Sequence, residues 1–274
     1  MAQAYDHKST ATVSKWKVAV WITAGASNAQ STQNHCYGAR IACYNEGGSR
    51  YRAVQDTYAD AYIGHLGDTK GEGSNQETLT NVMFQHNTVA DCIFKAYGCH
   101  MVNCIVNAQR DVKKHDTLNI PNVINQTGKI GVELGPRCTL RGGTVSLLNW
   151  KHSSNEFSGL PAKAIVVRGD DCVIDTLLVD EDGIDGSVGI QLAGQRRDVR
   201  IDCMVVGFQQ ANERLLVVDD GAHTNSLDVT FRINGAVKPI DGYVKIGAGW
   251  TGSIRLIDTT NGRTIALPQG QATK

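Results

Sequence analysis

The sequence predicts an all-β chain, a parallel β-helix whose coils are about 26 residues long. Three observations predict it. From Thr78 onward, Val/Ile/Leu-rich pieces of four to six residues alternate with Gly, Asn and Asp, and no long 3.6-residue periodicity survives, which is the pattern of many short strands. The pieces recur: Ile174-Asp175-Thr176-Leu177-Leu178-Val179 is echoed by Ile201-Asp202-Cys203-Met204-Val205-Val206, by Leu227-Asp228-Val229-Thr230-Phe231 and by Ile254-Arg255-Leu256-Ile257, in steps of 27, 26 and 27. A second apolar piece precedes each one, beginning at Ile165, Ile190, Leu216 and Val244, in steps of 25, 26 and 28. Propeller blades need about 40 residues, and the fixed leucine and asparagine positions of leucine-rich repeats are missing.

Along the chain, residues 1–78 differ in character from the rest. Six of the eight tyrosines lie there, and Tyr37, Tyr44, Tyr51 and Tyr58 are seven apart. Gly47 and Gly48 interrupt that run, and glycine costs about 1 kcal/mol in a helix interior, so coincidence or regularly spaced strands explain the spacing better than a heptad helix. This segment is read as an N-terminal attachment or capping region, with the polar, glycine-rich stretch from Gly67 to Gln76 as its junction. The β-helix is assigned to residues 79–262. Its early members, Asp91–Phe94, Val102–Val106 and Val132–Leu134 with Leu140, are spaced more widely and imply longer turns. Residues 263–274 are read as a C-terminal tail.

Composition narrows the function. The 27 basic and 27 acidic residues cancel, which argues against a nucleic-acid partner needing a basic stripe and gives no pull toward anionic membranes. No run approaches the roughly 18 apolar residues of a membrane span, and the first residues lack a secretory pattern, so synthesis in a cytoplasm is expected. The eight cysteines contain no C-x-x-C pair. His35 beside Cys36 and His100 beside Cys99 do not reach the ligand spacing of structural zinc, so buried free thiols are expected, with no metal and no cofactor.

The periodicity, together with motifs such as GIQLAGQRRDVRIDCMVVGF (Gly189 to Phe208), resembles the right-handed parallel β-helices of the pectate-lyase-like superfamily, particularly the tailspike and related spike proteins of bacteriophages. The resemblance covers roughly residues 79–262. It implies a homotrimer in the virion that binds host surface polysaccharide and sometimes cleaves it, with other virion proteins met through the N-terminal region. A structural or receptor-binding role leads; a glycan depolymerase is the alternative.

Strand alternation sets the candidate residues. If Ile174, Thr176 and Leu178 point inward, then Asp175, Leu177 and Val179 point outward, as do Asp202, Met204 and Val206 one coil later. Leu177, Val179, Met204 and Val206 then form an apolar outer surface, which is normally covered and is the candidate subunit interface. The same register stacks Asp175, Asp202 and Asp228 in one column, with neighbours about 5 Å apart and the outer pair about 10 Å apart. That geometry admits the carboxyl pairs of glycosidases, with Glu181 at the adjoining corner as a further acid. The competing reading is that these aspartates cap turns. The acidic run Asp180–Gly186 fails the calcium-loop pattern because Ile184 takes a ligand slot. Trp150, opening a polar insertion, and Trp250, in GAGWTGS, are the glycan-stacking candidates.

Overall fold

A computed structural model describes residues 18–23, 26–59, 61, 63–68, 76–85, 87, 89–109, 130–148, 162–181, 185–218 and 225–273. The chain is all-β. Its first pass lays down β1 (Val18–Ile22), β2 (Gln30–Thr32) and β3 (His35–Tyr37), and its second β4 (Ile41–Asn45), β5 (Arg52–Val54) and β6 (Thr57–Ala59). The third gives β7 (Ile63–Gly67), β8 (Thr78–Thr80) and β9 (Met83–Gln85), and the fourth β10 (Ala90–Phe94), β11 (His100–Val102) and β12 (Ile105–Gln109). Later passes carry two strands each. They are β13 (Ile130–Leu134) with β14 (Thr139–Leu148), then β15 (Lys163–Val167) with β16 (Val173–Asp180), then β17 (Val188–Leu192) with β18 (Val199–Val206). There follow β19 (Arg214–Val218) with β20 (Ser226–Asn234), β21 (Val244–Lys245) with β22 (Thr251–Asp258), and finally β23 (Arg263–Ala266).

The passes build two long parallel sheets. The first runs β1-β4-β7-β10-β13-β15-β17-β19-β21. The second runs β2-β5-β8-β11-β14-β16-β18-β20-β22-β23, with a branch β3-β6-β9-β12 that joins β14. Among the described strands, only the last pair, β22 with β23, is antiparallel.

Backbone conformation explains why the early passes break the second sheet in two. Gln33, Gln55, Asn81 and Asn103 all have positive φ, and each donates its N–H to the next pass, as Gln33 does to the Val54 carbonyl at 3.0 Å. A second ladder of positive φ, Asn28, Arg50, Gln76, Gly98, Arg137, Asp171 and Asp198, marks the corner before the second sheet. The left-handed conformation costs a non-glycine residue roughly 1 kcal/mol, and a satisfied ladder bond offsets it. In β14 the kink becomes a bulge: Arg141 faces Asp175 and Thr144 faces Leu177, leaving Gly142 and Gly143 opposite Thr176 alone. The Thr176 hydroxyl donates to both glycine carbonyls, at 3.0 and 3.2 Å. Beyond the bulge, β16, β18, β20 and β22 run straight for eight or nine residues.

The core lies between the sheets and is continuous from Ile22 to Leu256. One of its columns reads Cys43, His65, Cys92, Val132, Ile165, Ile190, Leu216 and Val244, one residue per pass. Each aliphatic member contributes about 1.5–3 kcal/mol by leaving water. All eight cysteines are buried free thiols, as the absence of paired spacing implies. The first sheet is apolar on both faces: β7, β10 and β13 are buried at every position, and Ile41, Ile63, Ala90, Ile93, Ile130 and Val166 form a cluster outside the main core.

Strand pairing runs across two expected boundaries. No break falls at residue 78, because β7 pairs with β10 and β5 with β8 across it. The early passes look different in sequence because they are short (Val18 pairs with Ile41 and Ile41 with Ile63) and because Tyr51 and Tyr58 fill the core. The segment read as a C-terminal tail is paired as well. β23 pairs back on β22, and Thr273 N–H reaches the Ile246 carbonyl at 2.9 Å, so this segment closes the end of the core. The widest spacings, Ala90 to Ile130 and Ile130 to Lys163, span residues 110–129 and 149–161, outside the described residues.

Candidate functional site

The outer face of the second sheet gathers most of the sequence candidates. Alternation along the strands places them as expected: Ile174, Thr176 and Leu178 are buried, Asp175 is exposed, and Leu177 and Val179 are half-buried. In β18, Ile201, Cys203 and Val205 are buried while Asp202 and Met204 are exposed and Val206 is half-buried. Across the sheet, Ile105, Thr144, Leu177, Met204, Arg232 and Ile257 fall in one column, and Val179 stacks on Val206 in the next. Met204, between Leu177 and Arg232, is the most exposed apolar member of this column, at 51%.

Beside these columns lies the carboxylate column, and it is shorter than expected. Asp175 stacks on Asp202, but Asp202 faces Thr230, and Asp228 faces Arg200. Aligning Ile201 with Leu227 is off by two residues, since the pairing is Ile201 with Val229. A two-residue shift leaves every side chain on its proper face, so hydrophobic pattern alone does not detect it. Asp228 accepts instead from the Ser253 hydroxyl at 2.7 Å. Asp202 is held by both prongs of the Arg232 guanidinium, Nη2 to Oδ2 at 3.3 Å. Arg141 opposite Asp175, Arg200 two residues before Asp202 on β18, and Arg255 on β22 beyond Thr230 add positive charge around the two aspartates. Glu181 is exposed past the end of β16, six residues from Asp175 and therefore about 20 Å away along the strand. Of these four acids only Asp175 and Asp202 are neighbours on adjacent strands; Asp228 and Glu181 stand apart from them.

The tryptophan candidates separate. Trp250 is 1% exposed and its indole N–H donates to the Gln271 carbonyl at 2.9 Å, so it is a plug under the folded-back C-terminal segment and not a sugar platform. Glycine neighbours suggest an exposed turn only when nothing packs over it. Trp150 lies outside the described residues. Among the described residues the exposed tryptophan is Trp21 on β1, its ring 6.1 Å from that of Tyr44 and its N–H on Glu46.

Among the described residues, a second and buried pair of acids lies at another corner. Asp180 ends β16 pointing inward, and Glu213, immediately before β19, meets it in the corner formed by residues 207–213. Both are buried. Glu213 Oε2 accepts from the Gln210 N–H at 2.7 Å, while Oε1 finds no donor because the neighbouring group is itself a carboxyl. Burial first, and then Asp180, push the Glu213 carboxyl up to about 7. Lys238 closes the same corner, its Nζ donating to the Gln210, Ala211 and Glu213 carbonyls and lying 4.4 Å from the Tyr243 ring centre. Burial and the nearby Arg214 bring this amine down to about 8. Sequence reading reached the exposed Glu181 and missed Asp180, although the parity of Ile174, Thr176 and Leu178 already pointed position 180 inward.

A second buried polar centre sits in the early passes. His65 Nε2 and Glu77 Oε2 are 2.5 Å apart with both side chains out of reach of water. Tyr51 and Tyr58 stack near the imidazole, and their hydroxyls lead 3.1 Å from one to the other and on to Asp56. Among the described residues, no group of three His, Cys, Asp or Glu side chains is placed to hold a metal ion, and no helix is long and apolar enough to cross a membrane.

Comparison with protein-family models, with curated proteins and with solved structures finds no match.

Proposed function

We propose that the two sheets are faces of a right-handed parallel β-helix, and that the chain is a self-associating structural or receptor-binding component of a bacteriophage virion, a homotrimeric spike or fibre protein contacting host surface polysaccharide. The observation that carries this reading is the outward apolar stripe of Leu177, Met204, Val179 and Val206 on the second sheet, edged by Asp175, the Asp202–Arg232 pair and further arginines. An apolar centre with an arginine-containing polar rim is the anatomy of a protein–protein interface. One right-handed crossover per pass is the common way to join parallel strands of the same sheet. The edges at β1, β2 and β3 begin the stack and are the end available to other virion proteins. The polysaccharide contact passes from Trp250 to the exposed Trp21.

The depolymerase alternative draws less support, since Asp202 is occupied by Arg232 and Asp228 stands in another column. The test of the leading reading is solution mass by light scattering after size exclusion. A trimer of 29.6-kDa chains gives about 89 kDa, and Met204→Asp is expected to return it to the monomer. An unmodified chain that runs as a monomer at micromolar concentration would overturn self-association. Release of oligosaccharide from host capsule or lipopolysaccharide, lost in Asp202→Asn, would move the assignment to the enzyme.

A further inference from the structure

We propose that the corner formed by residues 207–213 is a pH-dependent latch, tightened at acid pH by the proton that Glu213 holds against Asp180 and at alkaline pH by loss of the buried Lys238 proton, and weakest in the window between. The latch belongs to the single chain and stands whether or not the chain self-associates.

The geometry puts two carboxyls in one dry corner. Glu213 and Asp180 are both inaccessible, and Glu213 Oε1 has no donor. A single proton between them satisfies that orphan oxygen and removes one of two like charges, as in other paired carboxyls. Charged and titratable groups surround the pair from each neighbouring element: Asp185 from the turn after β16, Arg214 at the start of β19, Lys238 after β20, Tyr243 from the short 3₁₀ turn Ile240–Tyr243, and Asp258 at the end of β22. Of these, Lys238 grips the corner backbone through three carbonyls, while Asp185 is committed to the Asn212 N–H and Nδ2 at 2.7 and 2.6 Å. Tyr243 donates to the Phe208 carbonyl at 3.1 Å. The corner is therefore held by side chains and not by ladder bonds alone, and it begins one residue past Val206.

Linkage fixes the signs. The closed corner holds the Glu213 proton up to about pH 7, whereas an opened one releases it near the ordinary 4.5, so opening expels a proton and becomes up to tenfold easier per pH unit across that interval. Lys238 acts oppositely. Its closed-state value of about 8 lies below the ordinary 10.5, so above 8 opening takes a proton up and becomes harder again. The corner is loosest between about pH 7 and 8.

Amide hydrogen exchange of the full-length chain, read by mass spectrometry on the peptide spanning residues 207–214 from about pH 5 to 9 and corrected for intrinsic rates, tests this. Protection is expected to fall by up to about a hundredfold between pH 5 and 7, to level off, and to rise again by up to about tenfold by pH 9. A peptide from β17 serves as the reference. In Glu213→Gln the acid limb is expected to disappear, and in Lys238→Met the alkaline rise. A wild-type corner whose protection tracks the reference peptide at every pH overturns the proposal, and so does an acid limb that survives in Glu213→Gln. Because the wild-type profile alone is enough to overturn the latch, failure of either variant to fold does not shelter it.

Discussion

His65 and Glu77 show what a single buried pair demands of its neighbours. Burial by itself lowers the imidazole, but the Glu77 carboxylate and the Cys43 thiol outweigh it and raise His65 to about 10. The stabilisation from that bound proton is full below the ordinary 6.5 and is lost as pH rises through about 10. Room for the carboxylate comes from Gly67, where a Cβ would lie 2.2 Å from Glu77 Oε1. Glu77→Gln is expected to cost about 3–5 kcal/mol in urea unfolding at pH 7, because it strands a buried imidazolium. The double replacement His65→Leu with Glu77→Leu is expected to cost less than the two single changes together, and a strictly additive cycle would refute coupling between them. Nothing in IGHLG or GSNQETL marks this pair in the sequence, since the contact depends on which passes become neighbours. Asp180 is the opposite case, legible from strand parity alone, while its partner Glu213 needed the register of β19.

Among the strands and turns, what was legible was periodicity, and what was not was offset. Steps near 26 residues and the inward or outward face of each residue in β16 and β18 follow from the apolar pattern, because one face of each strand is packed on the core. The pairing of β18 with β20 did not follow, since a slip of two residues preserves that pattern. The positive-φ ladders were legible only in part: Asn28, Asn81, Asn103 and Gly98 carry the usual signals of such corners, whereas Arg50, Gln55 and Arg137 carry none. The bulge in β14 offers a sharp test. Gly143 has φ +69°, and a Cβ there would lie 2.0 Å from the Cys104 carbonyl oxygen. Gly143→Ala is expected to destabilise by at least about 2 kcal/mol, by left-handed strain plus displacement of the chain entering β12, read as a lower urea midpoint. Trp250→Ala is expected to cost about 3–5 kcal/mol by opening the C-terminal end of the core, whereas a surface sugar platform would lose almost nothing. A measured loss under about 0.5 kcal/mol would show that the folded-back segment does not seal that end.

At the scale of the whole molecule, the two sheets differ in how much apolar surface they leave uncovered. The outer face of the first sheet is already dry around Ile63, Ala90 and Ile130, so it has little further to gain from a partner. The outer face of the second sheet keeps Met204 largely exposed and Leu177, Val179 and Val206 half so, in a column flanked by charges that are in part already paired. Burying such a stripe against another copy gains roughly 25 cal/mol for each Å² of apolar surface removed from water, while the exposed Asp202–Arg232 pair contributes only about 0.2–1 kcal/mol and serves mainly to fix register. The two substitutions should therefore separate. Met204→Asp is expected to abolish the heavy species in light scattering while leaving the monomer's thermal unfolding within about 0.5 kcal/mol, since the side chain points away from the core. Asp202→Asn is expected to weaken association by no more than about tenfold and to leave its stoichiometry unchanged. If Met204→Asp instead lowers monomer stability and leaves the assembled mass intact, the stripe is part of the fold's own packing and the self-association surface lies on another face.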